Sequence, residues 1–179
     1  MDPTLPGRLR SAIRDVPDFP KPGILFRDIT TLLLRPDLMG EALAAMWEPY
    51  AGSVDAVAGI ESRGFVLGAP LAWSHGVPFI PLRKPGKLPA EAISEAYALE
   101  YGTDALEMHR DAVTAGRRVL VVDDLLATGG TAAAAARLIE RAGGEVAGVS
   151  VLIELDFLAG RERLADRRVQ AIVHYGAEA

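Results

Sequence analysis

Short apolar runs alternate along this chain with longer segments of helical pattern. The apolar runs have the length and β-branched content of buried strands, and they lie at 54–60, 79–82, 119–122, 146–152 and 169–173. Apolar positions recur at helical spacing at 37–50, 65–75, 104–115, 131–142 and 157–165. This alternation predicts an α/β fold in which helices cover both faces of a parallel sheet.

Polar residues follow several of the predicted strands. Parallel α/β sheets bind ligands beyond the carboxyl ends of their strands, and Glu61, Arg83 and Asp123 each follow an apolar run. We therefore expect these three side chains to converge at one rim of the sheet. A chain of 179 residues suits one domain, so we assign residues 1–179 to a single unit.

Residues 1–36 precede the first predicted core strand and have a different pattern. Five prolines lie before residue 23, which excludes a core strand or a long helix there. A short helix is expected at 8–15, and the stretch from Ile24 to Arg27 is expected to form a flat pocket wall. Phe26 has a second interpretation as a core anchor, because a lone aromatic residue in an apolar run usually packs there.

Residues 119–131 carry the most informative chemical pattern. A buried run meets two acids, Asp123 and Asp124, and a loop of small residues then leads into an Ala-rich helical pattern. The loop comprises Ala127, Thr128, Gly129, Gly130 and Thr131. Such a helix N-terminus binds phosphate, because its first N–H groups lack partners and carry partial positive charge.

The acid pair would then face the group that carries the phosphate. Two adjacent carboxylates can accept hydrogen bonds from the vicinal hydroxyls of a ribose, which would lie close to its own phosphate. A tight strand-to-helix connection beside a solvated acid pair is the alternative interpretation.

The composition of the chain, and the motifs that it lacks, exclude several classes of function. The chain contains neither Gly-Lys-Ser/Thr nor Gly-x-Gly, which excludes the common nucleotide-binding loops. It has no cysteine and no stretch of 18 apolar residues, so disulfides, a Cys-based zinc site and a membrane span are not expected. Without an apolar leader segment, we expect a cytoplasmic protein. The net charge of −5 disfavours a nucleic-acid partner.

One stretch is locally basic in spite of the acidic composition. Two of the three lysines, Lys84 and Lys87, lie beside Arg83, and such a cluster could bind a polyanion. Two prolines and a glycine in the same stretch disfavour a helix, so residues 83–102 are expected to form a flexible lid. A solvated basic loop is the alternative.

Four stretches resemble the type I phosphoribosyltransferases and follow the order of that family. They are residues 17–29, the motif at 61–65, residues 83–89 with 99–102, and the acid pair with its loop. Together they run from about residue 13 to residue 155, and the last is most similar to members that act on adenine. The resemblance implies a parallel sheet with an N-terminal hood, formed by residues 1–36, and a lid.

The resemblance also implies an activity. The chain would transfer the 5-phosphoribosyl group of phosphoribosyl diphosphate (PRPP) to adenine, giving AMP and diphosphate. It would use Mg²⁺ bound mainly by substrate oxygens and waters, with no direct protein ligand, and it would form a homodimer.

Roles for individual residues follow from this resemblance. Residues 127–131 and the acid pair would bind the 5-phosphate and the ribose, and the hood residues Leu25, Phe26 and Arg27 would bind adenine. The diphosphate would be bound by Arg63, Arg83, Lys84 and Lys87. A strained peptide is implied between Glu61 and Ser62. Glu100 would exchange a proton with the purine, or would only close a hairpin of the lid at 97–101.

Two other functions remain open at this point. A phosphoribosyltransferase for xanthine, hypoxanthine or guanine would need a lysine or another donor near the 6-oxo group of its base. A PRPP-sensing regulator would need a DNA-binding element, and residues 1–36 contain neither helix-turn-helix spacing nor a convincing basic helix. The three histidines have no acid at ligand spacing, so we expect no metal ligand among them.

Overall fold

The computed structural model describes residues 4–98 and 103–177. The first part contains α1 (Leu5–Ala12), β1 (Arg14–Val16), β2 (Phe26–Asp28), α2 (Thr30–Leu33), α3 (Pro36–Trp47), a 3₁₀ turn (Glu48–Tyr50) and β3 (Ala56–Ile60). There follow α4 (Arg63–Ser74), β4 (Phe79–Leu82), β5 (Ala92–Ala98) and β6 (Thr103–His109). The last elements are β7 (Arg118–Leu126), α5 (Gly130–Arg141), β8 (Glu145–Leu155), two 3₁₀ turns (Asp156–Leu158 and Gly160–Leu164) and β9 (Val169–Tyr175).

The main sheet confirms the predicted fold class. Its five strands run parallel in the order β4-β3-β7-β8-β9. All five predicted strands are present, and β7, β8 and β9 extend further than predicted. Because β7 continues to Leu126, the acid pair lies on the strand itself rather than in a turn after it. Two antiparallel hairpins, β1–β2 and β5–β6, lie outside this sheet.

Helices cover both faces of the sheet. Alternate residues of β7 point to opposite faces. Leu120 and Val122 are fully buried against the face covered by α1 to α4, whereas Val119 and Val121 are buried against α5 and the β5–β6 hairpin. Each such side chain contributes about 1.5–3 kcal/mol by leaving water. Among the described helices, none combines the length and the apolarity that a membrane crossing requires.

The predicted helix at 104–115 is wrong. Residues 103–109 form β6, which pairs with β5 from Ala92↔His109 to Ala98↔Thr103. Leu106 and Met108 are buried while Glu107 between them is partly exposed, which is the period of a strand. The helix-forming residues of this stretch misled the prediction, because packing against α5 and pairing with β5 outweigh a weak local propensity.

Two further helix predictions need correction. The segment 157–165 forms two 3₁₀ turns rather than one helix, since Ala159 adopts a left-handed conformation between them. The N-terminal helix begins at Leu5 rather than residue 8, because the Thr4 hydroxyl accepts the Gly7 N–H, with 3.3 Å between Oγ1 and N, and caps an earlier start.

Glycine places the start of α4 directly against β7. A Cβ atom at Gly64 would lie 2.7 Å from the carbonyl oxygen of Val122 and 3.0 Å from Oδ1 of Asp123. Only a glycine therefore allows the helix N-terminus to approach the acid pair this closely.

We predict that Gly64→Ala lowers the free energy of unfolding by about 1–3 kcal/mol, because its methyl group must displace the β7 backbone. Urea denaturation measures this loss. Gly40→Ala is the matched control, since Gly40 lies within α3 with nothing within 4 Å of the added methyl group. That variant should gain up to about 1 kcal/mol. Equal stability of Gly64→Ala and the wild type would contradict the tight packing.

Candidate active site

A cavity of about 410 Å³ opens at the carboxyl ends of β3 and β7. It is lined by residues 60–63, Lys84, residues 123–132 and Val151. The predicted phosphate loop, the acid pair, Arg63 and Lys84 therefore meet in one place. The expected convergence of the strand ends is also present: Glu61 and Asp123 line this cavity, and Arg83 contacts Glu61 directly.

The loop between β7 and α5 leaves the helix N-terminus open. Gly129 is its N-cap and has φ +78°, and no side chain caps the first turn. Gly129 also packs against Gly160, whose carbonyl oxygen a Cβ at Gly129 would overlap. Positive φ and close packing both require glycine here. The uncapped N–H groups, with the hydroxyls of Thr128 and Thr131 nearby, suit an anion.

The two acids differ in their surroundings. Asp124 is buried, and its Oδ2 accepts a hydrogen bond from Nε of Arg63 at 2.5 Å. Oδ1 of Asp123 accepts the backbone N–H of Asp124 at 2.9 Å. Burial, followed by the negative charge of Asp124, raises the pKa of Asp123 well above its usual range. The pair therefore contains one carboxylate with a cationic partner and one that is disfavoured as an anion.

The hood residues predicted for adenine divide between two further cavities. Phe26 and Arg63 help to line a cavity of about 420 Å³, where the Arg63 guanidinium lies 5.1 Å from the Phe26 ring centroid. Leu25 and Arg27 help to line another, of about 530 Å³. The buried Arg27 side chain pairs with Asp15 and lies over the ring of Tyr175.

The Glu61 side chain binds the basic stretch at the rim of the cavity. Its carboxylate accepts hydrogen bonds from Nε and Nη2 of Arg83 at 3.2 and 3.4 Å, from the Lys84 backbone N–H at 3.0 Å and from Nζ of Lys87 at 2.9 Å. Lys87 above all, with the Lys84 N–H and Arg83, holds the pKa of Glu61 at about 2. The peptide that joins Glu61 to Ser62 is cis.

The sequence pattern placed Glu61 at the rim of the sheet, in the motif at 61–65, but indicated no binding role for its side chain. It also missed two residues that hold the Lys84 ammonium. Asp104 pairs with this ammonium, and the hydroxyl oxygen of Tyr97 lies 2.7 Å from it. Only the β5–β6 pairing, which the sequence pattern concealed, brings Tyr97 and Asp104 opposite each other.

Glu100, the predicted proton-exchanging residue, lies outside the described residues. The same holds for residues 99–102 of the lid motif, so the predicted hairpin at 97–101 is described only as far as residue 98. The described part of the lid comprises the loop after Arg83 and the strand β5.

One histidine has acidic neighbours that its sequence spacing did not indicate. Nδ1 of His174 lies 2.9 Å from Oδ1 of Asp156 and 3.7 Å from Oε2 of Glu154. Both oxygens of buried Glu154 accept a hydrogen bond from Nε of Arg161, at 2.8 and 2.9 Å. Arg161 therefore compensates the charge of Glu154. The absence of a protein metal ligand stays a prediction.

Comparisons with known proteins agree with this geometry. Residues 33–174 match the phosphoribosyl transferase domain. An adenine phosphoribosyltransferase from Thermobifida fusca is 58% identical over 161 residues, 89% of this chain and 92% of that protein. The structure of an adenine phosphoribosyltransferase from Rhodothermus marinus has a TM-score of 0.92 and 52% identity, covering 97% of this chain and all of that one.

A third similar protein was solved with ligands. The adenine phosphoribosyltransferase of Saccharomyces cerevisiae, complexed with an imino-altritol bisphosphate and adenine, has a TM-score of 0.89 and 38% identity. The match covers 94% of this chain and 98% of that chain.

The raised pKa of Asp123 predicts a pH-dependent gain in stability for Asp123→Asn. The folded protein disfavours the Asp123 anion, so the wild type loses stability as the pH rises from the usual aspartate pKa of 3.8 through the raised one. Asparagine avoids this loss. We expect a higher Tm than wild type at pH 7, with the difference shrinking towards about pH 4.

Asp124→Asn is the matched comparison for this test. It should lower the Tm at pH 7, because Arg63 loses its charged partner. Thermal melts of both variants across pH measure the two effects. A destabilised Asp123→Asn at neutral pH would contradict the assignment of Asp123 as the disfavoured anion.

Proposed function

This chain belongs to the phosphoribosyltransferase family, and we propose that it transfers the 5-phosphoribosyl group of PRPP to adenine, giving AMP and diphosphate. The observation that carries this conclusion is the cavity in which an uncapped helix N-terminus, an acid pair and basic side chains meet. A sugar with a phosphate at one end and a diphosphate at the other requires this combination. The adenine phosphoribosyltransferases that match most of the chain support adenine as the acceptor.

The loop at 127–131 is proposed to bind the 5-phosphate. Its N–H groups at the start of α5 have no capping side chain and are therefore available to the phosphate oxygens. Asp123 and Asp124 precede the loop on β7 and are proposed to accept hydrogen bonds from the two ribose hydroxyls. Binding at both ends of the ribose phosphate would fix the position of C1, where the bond to the base forms.

Four basic side chains are proposed to stabilise the leaving diphosphate. Arg63 begins α4 and lines the cavity together with Lys84, and Arg83 and Lys87 contact Glu61 at its rim. Negative charge builds up on the diphosphate as its bond to C1 breaks, so cations close to it lower the barrier.

Mg²⁺ is part of this proposal. The carboxylates of the acid pair supply hard oxygen acceptors of the kind that Mg²⁺ and its bound waters use. When bound, Mg²⁺ would neutralise part of the charge on the PRPP oxygens. Asp123 and Asp124 would hold it through waters, without direct coordination.

The base is proposed to bind under the hood. Phe26 lies next to Arg63 and so near the ribose end of the cavity, and its ring could stack on a purine. Backbone groups of Leu25 and Arg27 would hydrogen-bond the base edge, and Glu100 would exchange a proton with it. We further propose that residues 1–179 act as one domain with the lid at 83–102, as a homodimer in the cytoplasm.

The first test of the function is product analysis. Purified protein with Mg²⁺ and PRPP should form AMP from adenine, and little nucleotide from guanine, hypoxanthine or xanthine, as measured by chromatography. GMP, IMP or XMP in place of AMP would overturn adenine as the acceptor. PRPP binding without any nucleotide product would favour the regulator instead.

A second test concerns Glu100. The variant Glu100→Gln keeps the shape of the side chain but cannot exchange a proton, so kcat should fall by ~10²–10⁴ while PRPP affinity changes little. Steady-state assays across pH measure kcat, and calorimetry measures the affinity for PRPP. Glu91→Gln is the matched control, because Glu91 lies just before β5 and pairs only with exposed Arg110 among the described residues. Wild-type kcat in Glu100→Gln would remove Glu100 from the mechanism.

A further inference from the structure

Glu61 accepts more hydrogen bonds from the protein than a solvated acid at the end of a strand would. Its side chain is only 11% exposed, and it accepts hydrogen bonds from a guanidinium, an ammonium and a backbone N–H group that lie 22 to 26 residues further along the chain. Its low pKa means that this carboxylate is charged at any physiological pH. A permanent negative charge therefore lies among the side chains that the proposed function assigns to diphosphate.

Each of the proposed diphosphate-binding cations pairs with a carboxylate. Arg63 pairs with Asp124, and Lys84 pairs with Asp104. Glu61 pairs with both remaining cations, Arg83 and Lys87. A diphosphate must therefore compete with these carboxylates for the cations, and the outcome depends on how firmly each cation is held.

The two cations on Glu61 are held to different degrees. Arg83 is fixed by its backbone, which exchanges hydrogen bonds with the backbone of Glu107 at 2.9 and 2.7 Å, and its Nη1 donates to the carbonyl oxygen of Lys87 at 3.0 Å. The Lys87 side chain is 50% exposed, and its ammonium makes its one described contact with Glu61. Lys87 can therefore leave Glu61 by breaking this one contact, whereas Arg83 must also break its hydrogen bond to the Lys87 carbonyl oxygen.

We propose that Glu61 is a positioning residue that holds the Lys87 ammonium beside the proposed diphosphate site and yields it to the diphosphate on binding. This inference rests on the proposed function, because that function places the diphosphate here. After the exchange, the Glu61 carboxylate remains near the bound anion and repels it. Glu61 therefore limits the affinity for diphosphate and favours its release after the reaction.

Calorimetry with inorganic diphosphate, on the full chain and without a base, tests this proposal. Glu61→Gln keeps the shape and most of the hydrogen bonding but removes the competing charge. The loss of one partly exposed charge interaction should tighten diphosphate binding by about two- to fivefold. A merely structural role predicts the opposite, because a disordered Lys87 and Arg83 would weaken binding. Unchanged or weaker binding by Glu61→Gln overturns the proposal.

Two further variants complete the experiment. Glu107→Gln is the matched control, since its carboxylate accepts the Gly86 N–H at 2.9 Å in the same loop but contacts no cation among the described residues. It should leave the diphosphate affinity unchanged. The double variant Glu61→Gln/Lys87→Gln removes both charges of the Glu61–Lys87 pair. Because the repelling carboxylate is gone, it should bind diphosphate more tightly than Lys87→Gln.

Equal or weaker binding by the double variant than by Lys87→Gln overturns the proposal even if Glu61→Gln alone does not fold. The inference and the proposed function also fail in different ways. An absent Glu61 effect with AMP formation intact overturns only this inference. A wild type that binds no diphosphate overturns both.

Discussion

Charge compensation at one rim of the parallel sheet is the constraint on which the site depends. β3 and β7 end side by side, which brings the carboxylates of Glu61, Asp123 and Asp124 to one cavity. Acids gathered in this way are tolerated only with cationic partners or with a raised pKa. Arg63 supplies a partner for Asp124, the basic stretch supplies partners for Glu61, and Asp123 is left with the raised pKa.

The same contacts connect folding to chemistry. The close approach of α4 to β7, made possible by Gly64, places Arg63 against Asp124. Gly129 positions the N-terminus of α5. Its positive φ and its contact with Gly160 turn the chain so that this helix N-terminus faces the cavity. Two helix N-termini and their partial positive charges thus border the acidic rim. A ligand that carries phosphate at both ends matches this distribution of charge.

The sequence was sufficient where the signal is local. The apolar runs predicted all five core strands, and the acids followed by small residues predicted the loop that leads into the open N-terminus of α5, because both features depend on neighbours in the chain. The sequence-based prediction failed where contacts between residues distant in the chain determine the structure. β6 was read as a helix, since its helix-forming residues take strand geometry only through pairing with β5. The pairing of Glu61 with Lys87, 26 residues away, and the side-chain direction of Arg27 likewise require the tertiary structure.

The central claim is that this rim binds both ends of PRPP, and a crystal structure with PRPP and Mg²⁺, without a base, tests it most directly. The account predicts the 5-phosphate on the N–H groups of residues 127–131, the ribose hydroxyls on Asp123 and Asp124, and the diphosphate among Arg63, Arg83 and the lysines. The Lys87 ammonium should have moved from Glu61 to the diphosphate. A phosphate bound away from the loop, or hydroxyls that do not contact the acid pair, would contradict the account.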